Sequence, residues 1–159
     1  MAAAACIGKY FEVDMEDIGK GIESYRPSNN RSEVIQRGSN TIILDAYNAN
    51  PNSMEAAIAN LKGLGAKKKV AVLGDMFEVG ADSAMEHQKI AELIVSTNVD
   101  AIYFIGENFA EVAHESDRAK FFPKYEAFAD HFAALDFENT TFLIKASRGM
   151  ALERVMELL

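Results

Sequence analysis

The chain has 159 residues and a formal net charge of −8, with 49% hydrophobic and 25% charged residues, a composition typical of one globular domain. Its acidic balance argues against extended nucleic-acid binding, because a phosphate backbone requires a basic surface, and no apolar run is long enough for a membrane span. Its single cysteine, Cys6, excludes an internal disulfide and a cysteine-cluster metal site, which agrees with a reducing cytoplasm.

Two short helices are predicted before the first strand. Residues 2–11 form the first, and the absence of a capping residue ahead of it is typical of the middle of a helix whose beginning is missing. The second runs from Met15 to Tyr25, with Asp14 as its N-cap. The stretch Pro27-Ser28-Asn29-Asn30 then breaks the chain, and we place a domain boundary there. The sequence thus predicts a short helical stub ahead of a larger unit.

In the larger unit, predicted strands and helices alternate. The predicted strands are 33–36, 41–44, 70–73, 101–105, 120–122 and 140–144, and the first two are spaced as a hairpin. Between and after them, helices are predicted to begin near residues 51, 83, 107, 125 and 150. This alternation predicts an α/β fold, a Rossmann-like and mostly parallel sheet with helices on both faces. In such sheets ligands bind beyond the carboxyl ends of the strands, so the loops there are candidate sites.

The loop after the second strand, from Asp45 to Pro51, carries a carboxylate, a phenol and two amides. Asn50 is predicted as the N-cap of the following helix, with Pro51 in its first turn. Free N–H groups at a helix N-terminus favour an anion such as a phosphate. Asp45, at the strand end, can accept hydrogen bonds from ribose hydroxyls. A plain capped turn explains the same pattern equally well, because such loops are common.

Two further strand-end loops carry candidate ligand-binding groups. Gly74 permits close backbone approach, and Asp75 beside it can hold a cation or an ammonium group. The third loop combines Lys145, Ser147 and Arg148 with a predicted helix N-terminus, a plausible site for a carboxylate or a phosphate. The plainer alternatives there are solvated charge for the two cations and N-capping for the hydroxyl.

No complete mononucleotide site is present in the sequence. It contains neither Gly-x-x-x-x-Gly-Lys-[Ser/Thr] nor Gly-x-Gly-x-x-Gly, the glycine-rich patterns that bind phosphates. Glu86-His87 lacks the spacing of a metal site such as His-Glu-x-x-His, and His87 is predicted to be a packed or surface histidine rather than a base. The residues by themselves therefore predict an α/β domain that offers half of a binding cleft.

Several of these stretches resemble the motifs of one enzyme family. The run 45–54 resembles the signature of the D-alanyl-D-alanine-adding Mur ligases. The runs 74–80 and 145–150 resemble the second and third blocks of the same family, and Asn30-Arg31-Ser32 resembles the linker that enters its C-terminal domain. The blocks occur in the family's order. The resemblance implies that residues 30–159 are a Mur ligase C-terminal domain and that residues 1–29 are the helical end of the central ATPase domain.

The resemblance implies a reaction, ATP-dependent amide formation in peptidoglycan synthesis. In this family ATP phosphorylates the carboxylate of a UDP-N-acetylmuramoyl-tripeptide. The amine of D-Ala-D-Ala then attacks the acyl phosphate, and phosphate leaves. The family's central domain supplies the phosphate-binding loop and the Mg²⁺ ligands, so we expect this chain to hold no metal and to be inactive alone. We also expect a cytoplasmic, monomeric protein.

The resemblance assigns expected roles to individual side chains. Arg31 is expected to approach the ATP phosphates and Asp45 the ribose. The other residues expected on the nucleotide side of the cleft are Tyr47, Asn48 and Asn50. The candidates for binding D-Ala-D-Ala are Asp75, Lys145, Ser147 and Arg148, because a cationic loop suits its carboxylate and an acid suits its ammonium group.

One departure from the family pattern is visible, and three alternative interpretations of the function stay open. Many relatives carry two acids where this chain has Leu44-Asp45, so any role of the first acid is absent. Another Mur ligase and a folylpolyglutamate synthase are alternatives within the superfamily, although those relatives favour histidine-containing versions of the run 47–51. A non-catalytic binding module on the same fold is the alternative from a different class.

Overall fold

A computed structural model describes residues 2–25, 29–112 and 116–159 of the chain. The predicted break at Pro27-Ser28 and the side chain of His114 lie outside these residues. The strands are β1 (Glu33–Arg37), β2 (Asn40–Asp45), β3 (Lys68–Gly74), β4 (Ala101–Ile105), β5 (Ala119–Phe122) and β6 (Thr140–Lys145). They form one six-stranded sheet in the order β1-β2-β6-β3-β4-β5.

The sheet has the predicted mostly parallel character. β1 and β2 pair antiparallel as the expected hairpin. The pairs β2–β6, β6–β3, β3–β4 and β4–β5 are all parallel. Parallel neighbours need crossover connections, which the helices between the strands provide. The prediction of an α/β fold is therefore confirmed.

The helices are α1 (Ala2–Tyr10), α2 (Met15–Ser24), α3 (Pro51–Gly63), α4 (Ser83–Val95), α5 (Glu107–Ala110) and α6 (Tyr125–Phe132). α3 begins where the sequence predicts it. The Asn50 side chain accepts a hydrogen bond from the Ser53 N–H at 2.9 Å, and the Ser53 hydroxyl accepts one from the Asn50 N–H at 3.1 Å. This reciprocal cap satisfies two N–H groups at the start of the helix. In the described residues, no helix has the length and apolarity needed to cross a membrane.

Two hydrophobic layers cover the two faces of the sheet. Alternate strand residues point to opposite faces, so Leu73 belongs to one layer and Val72 to the other. The first layer packs against α3, α4 and α5, with Ile58 and Ile90 fully buried in it. The second packs against α6 and the C-terminal segment. Helices on both faces confirm the predicted three-layer arrangement and leave the strand ends free for ligand binding.

The final helix predicted after residue 149 differs from the prediction. Residues 148–150 and 152–158 form two 3₁₀ segments rather than an α-helix. Ala151 between them has a φ of +48°, in the left-handed region that interrupts a right-handed helix. Leu152 and Val155 are still buried, as their apolar spacing predicts. The loop after β6 therefore lacks the α-helix N-terminus that the anion-site prediction assumed.

The first two helices pack on each other at one end of the chain. Gly8 lies so close to Ile18 that a Cβ atom there would be 2.8 Å from its Cγ1. The pair nevertheless leaves large apolar side chains exposed, among them Ile7, Tyr10 and Phe11. The helical stub therefore forms, and its outer surface is unusually apolar.

Candidate functional site

The three loops singled out from the sequence meet at one edge of the sheet. β6 lies between β2 and β3, although β2 and β3 are consecutive parallel strands in the chain. In the strand register, Lys145 is the partner of both Asp45 and Leu73. The carboxyl ends of three neighbouring strands thus lie side by side where the strand order reverses, the usual position of ligand sites in such sheets.

A buried ion pair joins β6 to β2. The Lys145 side chain is 1% exposed, and its Nζ donates to Asp45 Oδ2 at 2.6 Å and to the Asn48 carbonyl at 3.0 Å. The other carboxylate oxygen of Asp45 accepts the Ser32 N–H at 3.1 Å. The sequence assigned Asp45 and Lys145 to different ligands, whereas the structure brings them into one pair. The Asp45 side chain keeps 19% exposure, so its outer edge remains accessible.

Two guanidinium groups lie close to one aromatic ring. The guanidinium carbon of Arg31 is 3.7 Å from the centroid of the Tyr47 ring, and that of Arg148 is 5.1 Å from it. Both distances are within the range of a cation–π interaction. In residues 2–25, 29–112 and 116–159, neither arginine has an ion-pair partner. The two cations are therefore available to a phosphate or a carboxylate.

Asp75 is buried and holds the start of α5. It is 2% exposed. Its carboxylate accepts the N–H groups of Asn108 and Phe109, both at 3.0 Å, and the Asn108 side-chain amide at 2.8 Å. The backbone passes close by at Gly106, where a Cβ atom would lie 2.2 Å from Asp75 Cγ. The carboxylate is thus engaged within the domain, and its surroundings give no support to a direct contact with a dipeptide.

His87 is packed, as predicted, and it anchors the loop after β3. Its side chain has no exposed surface. Its Nε2 accepts the Met76 N–H at 3.0 Å, and its Nδ1 donates to the Ser83 carbonyl at 2.7 Å. Accepting at one nitrogen and donating at the other requires the neutral ring with its proton on Nδ1. His87 therefore fixes the position of the loop without facing the cleft.

A small pocket opens between the three loops. We call it the Phe77 pocket; its volume is about 270 Å³, and it is lined by Tyr47, Asn48, Phe77, Glu78, Ser147, Arg148 and Gly149. The buried Ser147 hydroxyl accepts the Phe77 N–H at 2.9 Å. The Asn48 side-chain amide donates to Glu78 at 3.3 Å. Four of the nine predicted site residues, Tyr47, Asn48, Ser147 and Arg148, line this pocket.

A second pocket of about 270 Å³ lies on the α3 side of β2. Its polar lining includes Ser32, Asp45, Ser53 and Asn60. Asn50 lies near this side, where its side chain is held in the α3 cap. The predicted residues thus fall on two sides of one cleft, with the Asp45–Lys145 pair between them.

Phe77 and Glu78 were not predicted as site residues from the sequence. Asp75 was predicted because it directly follows the strand, but a residue in that position is still within the packed layer. Phe77 and Glu78 lie farther along the loop and are both exposed. An aromatic residue and an acid three and four positions after the end of β3 were the available signal.

The described residues contain no group of three or more His, Cys, Asp or Glu side chains arranged to hold a metal ion. Asp45 and Asp75, the two acids closest to the strand ends, already have partners within the domain. This part of the chain does not fit a Mg²⁺ site, since Mg²⁺ needs several oxygen ligands.

Comparison with known proteins finds a matching family model and several similar curated proteins. Residues 30–148 match the model of the family described as "Mur ligase, glutamate ligase domain". Over 98% of its length the chain is 34% identical to the UDP-N-acetylmuramoyl-tripeptide–D-alanyl-D-alanine ligase of Bacillus subtilis, of which it covers 36%. The chain therefore spans about a third of the length of the curated relatives that it matches.

Solved structures agree with this similarity. MurF from Acinetobacter baumannii superimposes with a TM-score of 0.80 at 31% identity, over 92% of this chain and 34% of that one. MurF from Thermotoga maritima in complex with ADP gives 0.78 at 26% identity, over 97% and 35%. A folylpolyglutamate synthase/dihydrofolate synthase from Yersinia pestis gives 0.61 at 18% identity, over 92% and 35%, and shares the fold alone.

Proposed function

The chain belongs to the Mur ligase family, as an example of its C-terminal domain, and we propose that it is part of an ATP-dependent ligase joining D-Ala-D-Ala to UDP-N-acetylmuramoyl-tripeptide. The names of the relatives at 34% and 31% identity support this activity. The observation that carries the proposal is the placement of Arg31 and Arg148 over Tyr47, beside the Asp45–Lys145 pair. These cations lie at the carboxyl ends of parallel strands, where they can bind an anionic substrate.

On the nucleotide side, Arg31 binds the ATP phosphates and Asp45 accepts hydrogen bonds from the ribose. Arg31 has no ion-pair partner in the described part of the chain, so no carboxylate there neutralises its guanidinium group, which can bind a phosphate. The free edge of Asp45 suits a ribose hydroxyl, while Lys145 holds the carboxylate in position. Tyr47 and Asn48 form the wall, and Asn50 keeps the loop in place through its cap.

On the dipeptide side, Arg148 binds the carboxylate of D-Ala-D-Ala. Ser147 and Lys145 act as positioning residues, because both are buried and bonded to the loops that line the cleft. Asp75 supports the same site from inside the domain by holding the start of α5 against the loop after β3.

In the proposed reaction, ATP phosphorylates the tripeptide carboxylate, and the dipeptide amine displaces phosphate from the acyl phosphate. This domain closes over ATP and the dipeptide, which excludes water from the acyl phosphate. We assign the phosphate-binding loop and the Mg²⁺ ligands to the family's central domain. A reaction that consumes ATP and a nucleotide-linked precursor belongs in the cytoplasm, and we expect the protein to act as a monomer.

The test is phosphate release from ATP in the presence of D-Ala-D-Ala and UDP-N-acetylmuramoyl-tripeptide. It compares this chain alone with the complete product of its gene. We expect turnover only with the complete product, because this chain carries half of the cleft.

Three results would contradict parts of this proposal. Turnover by this chain alone would show that its cleft is sufficient for phosphate transfer. Turnover by the complete product with a different amine, and none with D-Ala-D-Ala, would favour another Mur ligase or a folylpolyglutamate synthase. No ATP turnover with any of these substrates would favour a binding module.

A further inference from the structure

We propose that Glu78 and Arg148 form a two-point clamp for a zwitterionic dipeptide in the Phe77 pocket. Glu78 binds the ammonium group, and Arg148 binds the carboxylate. This inference rests on the proposed function and adds the residue that recognises the amine end of the acceptor. It replaces Asp75, which the sequence analysis selected for that role.

The first support for the clamp is that two side-chain charges in the pocket have no ion-pair partner within the described part of the chain. Asp75 and Lys145 are buried and satisfied by partners within the domain. Glu78 and Arg148 are both exposed, and neither has an ion-pair partner in the described part of the chain. They line the same pocket and carry opposite charges. A ligand with one positive and one negative end can satisfy both.

The size and walls of the pocket also fit a small dipeptide. A volume of about 270 Å³ lies just below the range of pockets for drug-sized ligands, so it suits a smaller molecule. The Phe77 ring lies against the backbone at Gly149, where a Cβ atom would be 2.8 Å from its Cε2. Phe77 is still 54% exposed, and its ring offers an apolar surface to alanine methyl groups.

The Glu78 carboxylate makes the Phe77 pocket better suited to a zwitterion than to a simple anion. A phosphate bound at Arg148 would lie in the same pocket as the Glu78 carboxylate, and like charges repel. Glu78 contacts the Asn48 side-chain amide at 3.3 Å, a neutral donor that leaves its negative charge in place. The Phe77 pocket is therefore suited to a ligand with both charges, whereas Arg31 lies outside its lining and remains available to the nucleotide.

The loops that carry the clamp are fixed in position before the ligand arrives. The Phe77 N–H bonds to the Ser147 hydroxyl, which ties the loop after β3 to the loop after β6. The Met76 N–H bonds to the buried ring of His87, which ties the same loop to α4. A preformed site loses less conformational entropy on binding.

The test measures the KM for D-Ala-D-Ala and for ATP in the complete enzyme, with Glu78→Gln and Arg148→Gln variants. Each variant should raise the dipeptide KM about tenfold, as expected for losing one charge-assisted hydrogen bond. The KM for ATP should stay within about twofold of the wild-type value in the Glu78→Gln variant. Glu126→Gln is the matched control, because it removes an exposed carboxylate from α6, which packs on β4 and β5.

Kinetics with D-alanyl-D-alaninamide, which lacks the carboxylate, show which residue binds which end of the dipeptide. Glu78→Gln should lower kcat/KM for this amide about as much as for the dipeptide, whereas Arg148→Gln should change it less than about twofold. Equal losses on both substrates in the Arg148→Gln variant would overturn the carboxylate assignment.

The possible failures are distinguishable. A wild-type enzyme that ligates D-Ala-D-Ala, together with an unchanged dipeptide KM in Glu78→Gln, would overturn the clamp and leave the proposed function standing. A wild-type enzyme that does not use D-Ala-D-Ala would overturn both. Because Glu78 is exposed, the variant should melt with the wild type, so a changed KM will not reflect misfolding.

Discussion

At Gly106 the backbone leaves no room for a side chain. Its φ of +129° belongs to the region that glycine occupies, and a Cβ atom would overlap the Asp75 carboxylate. Gly106→Ala should therefore lower the free energy of unfolding of this chain by about 3–5 kcal/mol, from backbone strain and overpacking against a buried charge. Urea titration followed by circular dichroism measures this change.

Gly63→Ala is the matched control for that substitution. Gly63 is the last residue of α3, and nothing lies within 4 Å of a Cβ atom built there. Alanine should stabilise the chain by up to about 1 kcal/mol, since it restricts the unfolded state. Similar effects of the two substitutions would show that the Gly106 environment is not the constraint described here.

The hydrogen bonds of a single residue were predictable where its partners are near in sequence. Asn50 caps α3 through Ser53, three positions away, and the cap follows from local rules. The burial of Asp75 was not predictable in this way, because its partners, Asn108 and Phe109, are more than thirty positions away. Whether a carboxylate faces solvent or an internal helix depends on which loop packs beside it, and the order of residues does not specify that.

The ends of β2 and β6 are held together by the Asp45–Lys145 pair. Lys145→Met should lower the free energy of unfolding by about 3–5 kcal/mol, because it leaves a partly buried carboxylate without its cation. Lys20→Met is the control, since Lys20 pairs with Glu16 on an exposed helix face, at 64% and 76% exposure. That change should cost at most about 1 kcal/mol. Equal losses in the two urea titrations would contradict a structural role for the buried pair.

At the level of elements, strand positions were more predictable than strand order. Apolar runs such as 70–73 and 101–105 marked the buried strands. The Asp45–Lys145 pair was not foreseen, because the two residues are 100 positions apart and meet only when β6 enters between β2 and β3. The prediction of an α-helix in the final segment was wrong for another reason. The left-handed backbone at Ala151 breaks the helix, and alanine gives no warning of it.

Across the whole molecule, we propose that the helical stub and the sheet are separate folding units. α1 and α2 pack chiefly on each other, and their outer side exposes Ile7, Tyr10 and Phe11. A chain that begins at residue 29 should therefore keep a cooperative melting transition, shifted by less than about 4 °C, which corresponds to roughly 1 kcal/mol for a protein of this size. Circular dichroism on heating measures it. Loss of the cooperative transition would place the stub within the folding unit and would argue against a domain boundary near residue 30.

The position of β6 has a consequence for the order in which the protein is made. Of the six described strands, β6 is the last to leave the ribosome, yet among the described residues it supplies the only ladders that join β2 to β3. A nascent chain that stops before residue 140 holds a hairpin and a three-stranded fragment with unpaired apolar edges. Such a chain has neither a continuous sheet nor the Lys145 side of the cleft. Synthesis must therefore pass residue 145 before this domain can fold, and a premature stop ahead of β6 should yield an aggregating product rather than a folded domain of lower stability.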